Sequence, residues 1–141
     1  MSFLIDTDII IDFQNKKNPG FTYFKSSVKK DAFISIISYS EIVYGMQGFT
    51  HKQALIAKFE KMLEDFGISV LPINKQIGLN YAQLKFYLQQ KKKLLQDFDI
   101  IIASSAITNN LTLVTRNTKH FSRIPDLALF NLLALQSGRR R

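Results

Sequence analysis

Apolar residues along the chain fall into two kinds of run: short unbroken ones, and longer ones in which they recur every three or four positions. The first short run is Phe3–Ile5, closed by Asp6. The TDIIIDF that follows suits a buried helix or a strand by pattern alone. NKKNPG at 15–20 reads as a loop, and residues 21–28 predict a short helix. AFISI at 32–36 is aromatic and β-branched without polar alternation, as a strand buried on both faces should be. Ser38, with Glu41 three residues on, carries the spacing of a capping box and predicts a helix from there to about Gln47.

Leu55, Phe59, Met62 and Phe66 then mark one face of an amphipathic helix over 53–66, ended by Gly67. ISVLPI supplies another strand. Ile77, Tyr81, Leu84 and Leu88 repeat the helical stepping up to Lys91, Lys92 and Lys93, cations well placed for a helix C-terminus. A helix over 98–109, a strand over 111–114, a turn or short helix over 117–122 and a last strand at 128–130 complete the reading. Apolar strands separated by long helices predict an α/β fold in three layers, a central mostly parallel sheet flanked by helices. In such sheets the working site lies beyond the carboxyl ends of the strands, near a reversal of strand order.

A length of 141 residues suits one core, read as a domain over 1–136 followed by a basic tail over 137–141. A chain 46% hydrophobic and 21% charged belongs with folded globular proteins rather than disordered ones. The absence of cysteine excludes disulfides, thiolate metal sites and cysteine nucleophiles, and suits a reducing, cytoplasmic setting. Asp6, Asp8 and Asp12 interrupt the first apolar stretch, so neither a secretory leader nor a membrane element is predicted there. Charge is uneven: residues 1–65 balance eight lysines against eight acids, and the whole net charge of +8 belongs to residues 66–141. A polyanionic partner follows from that field. No G-x-G-x-x-G follows the first strand, which argues against a Rossmann cofactor site.

Several of the eleven acids stand at the edges of apolar elements. Asp6 follows the first strand, Glu41 lies just beyond AFISI, and Asp97 and Asp99 precede IIIA. A parallel sheet brings such ends to one side, where crowded carboxylates require a cation or protons. Oxygen ligands alone suit Mg²⁺, or Mn²⁺ as a substitute. Beside a basic half, that combination indicates phosphodiester hydrolysis. Each acid also has a plainer reading: Asp6 as the N-cap of a helix from Thr7, Glu41 as part of a capping box, Asp97 and Asp99 as favourable charges at a helix N-terminus.

The blocks MSFLIDTDIIID, SYSEIVYG, DFDIIIASSAI and LTLVTRNTKHFSRIP, in this order, resemble those of a PIN domain, and most of all the small VapC-type toxin ribonucleases. The resemblance implies that Asp6, Glu41 and Asp99 are catalytic and hold Mg²⁺. Asp8, Asp97, Thr115 and Asn117 would support the site, and Asp12 would face solvent. The family's last block often supplies a fourth acid; here Asn117 and His120 occupy its two places, which leaves a second metal ion conditional and puts His120 on the rim as a phosphate or metal contact, or simply as a packed or surface histidine. Water attack in line would yield a 5′-phosphate and a 3′-hydroxyl. Lys91, Lys92, Lys93, Arg116 and Arg123 are candidate contacts to RNA phosphates. Tyr39, Tyr44 and Phe98 are candidates for base stacking or for packing, Phe21, Tyr23 and Phe24 for partner contact or core, and Ser104 and Ser105 are small helix residues rather than nucleophiles. The resemblance further implies a homodimer, a cognate antitoxin, and promoter DNA bound only through the toxin–antitoxin complex. Two alternatives stand beside it: a noncatalytic PIN-like RNA- or protein-binding module, and a PIN nuclease of nucleic-acid maturation.

Overall fold

The computed structural model describes residues 2–26 and 31–135. The proposed tail at 137–141 and residues 27–30 lie outside the described residues. Four short strands, β1 (Phe3–Ile5), β2 (Ala32–Ser35), β3 (Ile68–Leu71) and β4 (Thr112–Val114), form one sheet in the order β3-β2-β1-β4. Every pairing is parallel. From β1 the chain proceeds outward to β2 and β3 on one side and returns through β4 on the other, so strand order reverses at the carboxyl end of β1, where Asp6 stands.

The helices cover the two faces. On one lie α1 (Thr7–Gln14), α2 (Gly20–Ser26), α3 (Ile36–Met46) and α4 (Lys52–Asp65), packed with Ile5, Ile34, Ile68 and Val114 of the sheet. On the other, Leu4 and Leu113 meet α5 (Lys75–Gln90), α6 (Asp97–Thr108) and the short α7 (Thr118–Phe121). Alternation along such short strands explains the division: neighbouring residues such as Leu4 and Ile5 face opposite layers, and both are apolar because both layers are occupied.

Several local expectations change. TDIIIDF is helical, because the Asp6 side chain accepts from Thr7 N and starts α1 immediately after β1. The helix expected from Ser38 begins earlier. Ser35, the last residue of β2, is the N-cap of α3 and accepts from Ile37 N at 3.0 Å, leaving Ser38 buried inside the helix. The Ser38–Glu41 spacing is therefore no capping box, and Glu41 is free to turn elsewhere. At 128–130 the chain makes an isolated parallel bridge from Leu129 to Leu113 rather than a strand. Gly67, at φ +65, follows α4 in the left-handed conformation that glycine adopts readily. Among the described residues, no helix is long and apolar enough to cross a membrane.

Candidate active site

Asp6 sits at the switch point, 7% exposed. Its two carboxyl oxygens are divided between neighbours: Oδ1 accepts from Thr7 N and Oδ2 from the Thr115 hydroxyl, both at 2.8 Å. Thr115 follows β4 directly, so pairing of β1 with β4 builds this contact across 109 residues of sequence. Burial, and then the charge of Asp8, drive the Asp6 carboxyl up to about 7, against the opposing pull of its two hydrogen bonds; the charge of Asp99 adds to the rise. Asp8 of α1 and Asp99 of α6 thus each lie within electrostatic reach of Asp6, at the end of β1.

Asp8 is held by its Oδ2, which accepts from Arg116 N at 3.1 Å and from Thr115 Oγ1 at 3.4 Å. Its Oδ1 is buried with no hydrogen-bond partner. Burial raises the Asp8 carboxyl, and the Arg116 N–H and guanidinium oppose the rise. Asp99, half-buried in the first turn of α6, is likewise raised by burial and lowered by His120. Glu41 is exposed on α3 and accepts from Thr7 Oγ1 at 3.0 Å. Since Thr7 also donates its N–H to Asp6, this one threonine spans the two acids. Its place between Asp6 and Asp8 in the first block was a signal that could have found it.

Asn117 and His120 stand on the same rim. Asn117 N donates to Thr115 Oγ1 at 3.0 Å, and its side-chain Nδ2 lies 2.9 Å from His120 Nδ1. Asp97 turns away to α5, accepting from Tyr81 OH and Lys85 Nζ at 2.8 Å each. The Lys85 bond, then that from Tyr81, holds its carboxyl below the ordinary value. It fastens the start of α6 to α5.

Asp12 does not face solvent. It is 3% exposed, accepts from Gly20 N at 3.1 Å and is ion-paired with Arg116, whose Nε lies 3.3 Å from Oδ2. The cause is the close approach of α2: a Cβ on Gly20 would lie 2.4 Å from Asp12 Cβ, so only glycine lets the helices meet over this acid. Arg116, placed among the free RNA contacts, is instead drawn toward Asp12 and, at 3.9 Å, Asp8. Lys91, Lys92 and Lys93 are exposed, with Lys91 over the Tyr87 ring, and Arg123 is half-buried. Of the aromatics, Tyr44 and Phe98 are exposed, whereas Tyr39 bonds Glu60 and stacks on Phe59. Tyr23 and Phe24 are core and Phe21 is half-buried. Ser104 and Ser105 are buried, their hydroxyls donating to the carbonyls of Ile100 and Ile101.

Among the described residues, no three His, Asp or Glu side chains form a group able to enclose a metal ion. The donor chemistry nevertheless suits a hard cation: oxygen ligands, a buried unpartnered carboxylate oxygen on Asp8, and an Asp6 whose proton burial holds to near neutrality. Beside Glu41 an apolar groove of about 860 Å³ opens between α1, α3 and α4, lined by Phe13, Ile42, Met46, Phe59 and Met62, with Lys16, Lys25 and Lys58 among its polar residues.

An acid-lined switch point in a parallel sheet agrees with comparison to known proteins, where the PIN domain family matches residues 3–127. The chain belongs to that family. This PIN domain is homologous to VapC toxins of type II toxin–antitoxin systems. Ribonuclease VapC2 of Rickettsia felis is 31% identical over 133 residues, covering 93% of this chain and 98% of the relative. VapBC-1 from nontypeable Haemophilus influenzae superposes with a TM-score of 0.80 at 29% identity, over 94% of this chain and 99% of that one. VapBC2 from Rickettsia felis, solved bound to a DNA fragment from its promoter, does so at 0.77 and 29%, over 93% and 98%.

Proposed function

We propose that this PIN domain is a divalent-metal-dependent endoribonuclease, the toxin of a toxin–antitoxin pair, with Asp6, Glu41 and Asp99 holding Mg²⁺ or Mn²⁺. The observation that carries the reading is an Asp6 carboxyl lifted to about 7 by burial and then by the neighbouring charges of Asp8 and Asp99. A cation among these acids would favour their ionised form. When bound, the ion would supply charge to offset the phosphate and acidify a water.

The chain's own residues have separable tasks. Thr7 and Thr115 orient Asp6 and Glu41 by hydrogen bonds and leave their remaining lone pairs for a ligand. Asp8 Oδ1, buried and unpartnered, is the acceptor left to orient an attacking water. Attack forms a phosphorus–oxygen bond as the bond to the 3′-oxygen breaks, leaving a 5′-phosphate and a 3′-hydroxyl. Lys91, Lys92, Lys93 and Arg123 would meet flanking phosphates, a salt-sensitive contribution.

Relatives described as ribonucleases support RNA as substrate, and neighbours solved as VapBC complexes, one of them with promoter DNA, support a cognate antitoxin. The apolar groove beside Glu41 is its natural seat. Exposed Leu79, Phe86 and Tyr87 on α5 support a homodimer. The lack of a closed ligand set among the described residues favours a second reading, a PIN module that binds RNA without cutting it.

The test is cleavage of RNA by the purified, antitoxin-free protein with added Mg²⁺ or Mn²⁺. Asp6→Asn and Asp99→Asn should each lower the rate by about a hundredfold or more, whereas Asp97→Asn, engaged with α5, should stay near wild type. Folded wild type that binds RNA and never cleaves it, at any concentration of either metal, would establish the noncatalytic reading instead.

A further inference from the structure

Where the resemblance calls for a fourth acid, the chain carries Asn117 and His120, and hydrogen bonds order these two from the sheet outward. Thr115, buried at the end of β4, donates to Asp6 and accepts the Asn117 N–H. Asn117 in turn presents its amide nitrogen to His120 Nδ1 at 2.9 Å. All three contacts have ordinary hydrogen-bond lengths, so the imidazole is connected through Asn117 and Thr115 to Asp6 itself. Phe121, next in the chain, is fully buried and anchors α7 beneath the exposed ring. The ring lies near enough to Asp99 to act on its carboxyl.

The chemistry of the pair sets the direction of the proton. An amide nitrogen only donates, so Nδ1 facing it accepts, and the neutral ring carries its hydrogen on Nε2. Among the described residues no protein group takes that hydrogen. A phosphate approaching Asp6, Asp8, Glu41 and Asp99 meets like charge, and a fourth carboxylate would add to it. A donor in the same place attracts the phosphate instead.

We propose that His120 is a substrate-binding residue of this site, its Nε2–H donating to a non-bridging oxygen of the bound RNA phosphate, and that Asn117 is the positioning residue that fixes the ring's tautomer. The proposal rests on the RNA-processing reading above and specifies how that site grips its substrate with fewer acids.

Three measurements test it. In ¹⁵N-labelled protein, imidazole nitrogen shifts of the neutral ring, identified by pH titration, should report the Nε2–H tautomer for His120, and Asn117→Ala should abolish the preference. Binding of a short single-stranded RNA is then measured in Ca²⁺, chosen to permit binding without efficient turnover. His120→Ala and His120→Asn should weaken binding about 10- to 100-fold, the range of one hydrogen bond to a charged group. His120→Gln, whose amide nitrogen reaches the place of Nε2, should recover most of it. In Mg²⁺ the same variants should raise KM with little change in kcat. An Nδ1–H tautomer in the wild type, equal affinity for wild type and His120→Ala, or a loss shared equally by the glutamine variant would each overturn the proposal. Wild type that binds RNA with these His120 effects but never cuts it would remove the nuclease reading and leave this inference standing. Wild type that binds no RNA would remove both.

Discussion

Asp6 has two roles that oppose each other. As N-cap and partner of Thr115 it is stabilised as an acceptor, yet burial beside Asp8 keeps its carboxyl protonated up to about 7, against an ordinary value of 3.8. Between those values the folded chain binds more protons than the unfolded one, so stability present below about pH 4 is lost as pH rises toward 7. Asp8 and Asp99 are raised too and act in the same sense. Urea unfolding of metal-free protein should therefore show Asp6→Asn gaining on wild type by up to about 4 kcal/mol between pH 4 and 8. Added Mn²⁺ should stabilise wild type more at the upper end of that range than at the lower. A difference between the two proteins that is flat with pH would mean that Asp6 is not strained by its neighbours.

At the level of elements, the site depends on how closely α2 approaches α1. Gly20 lets the helices meet over Asp12, and Asp12 then draws Arg116 across to Asp8, tying α1 to the segment after β4. Gly20→Ala would set a Cβ 2.5 Å from the Ile9 carbonyl as well as against Asp12, and should cost about 2–3 kcal/mol of stability. Arg116→Ala leaves the buried Asp12 carboxylate without its cation and should cost about 2 kcal/mol at pH 7. Chemical denaturation of both variants checks the pair. If Arg116→Ala is as stable as wild type at pH 7, the ion pair contributes nothing to holding the loop.

For the whole molecule, the apolar groove and the acid pocket adjoin at Glu41, which lines the one and bonds Thr7 in the other. A partner segment seated in the groove would therefore end beside the carboxylates. Gly45 lies on the groove wall with nothing within 4 Å of where its Cβ would stand, so Gly45→Trp can start a bulky side chain at the groove without a clash at its Cβ. Titration calorimetry with the cognate antitoxin should show at least a tenfold loss of affinity, roughly the worth of displacing one anchor contact, while RNA cleavage by the free protein is retained. Unchanged affinity would place the partner on another face.

How much of this was legible in the sequence depends on the range of the interaction responsible. Strand and helix order follows from local periodicity and from turn residues, and the three-layer fold follows from strands that are apolar on both faces; both kinds of signal lie within a few residues of one another. The sequence placed Asp6, Glu41, Asp97 and Asp99 at one side only in outline, because a parallel sheet aligns strand ends without fixing how far apart side chains from different ends stand. The structure turns Asp97 to α5 and brings Asp8 as well as Asp99 within reach of Asp6. Local reading misjudged the cap of α3, where Ser38 with Glu41 imitates a capping box that Ser35, already in the preceding strand, makes unnecessary. It also misjudged Asp12, which looks like the polar face of a surface helix until Gly20 brings α2 over it and Arg116, 104 residues later, supplies the charge. Composition and periodicity thus determined the elements and the kinds of donor available. Tertiary structure alone decided which carboxylates are buried, which cation each one meets and how His120 is turned, because desolvation and charge act through space between residues that the sequence keeps far apart.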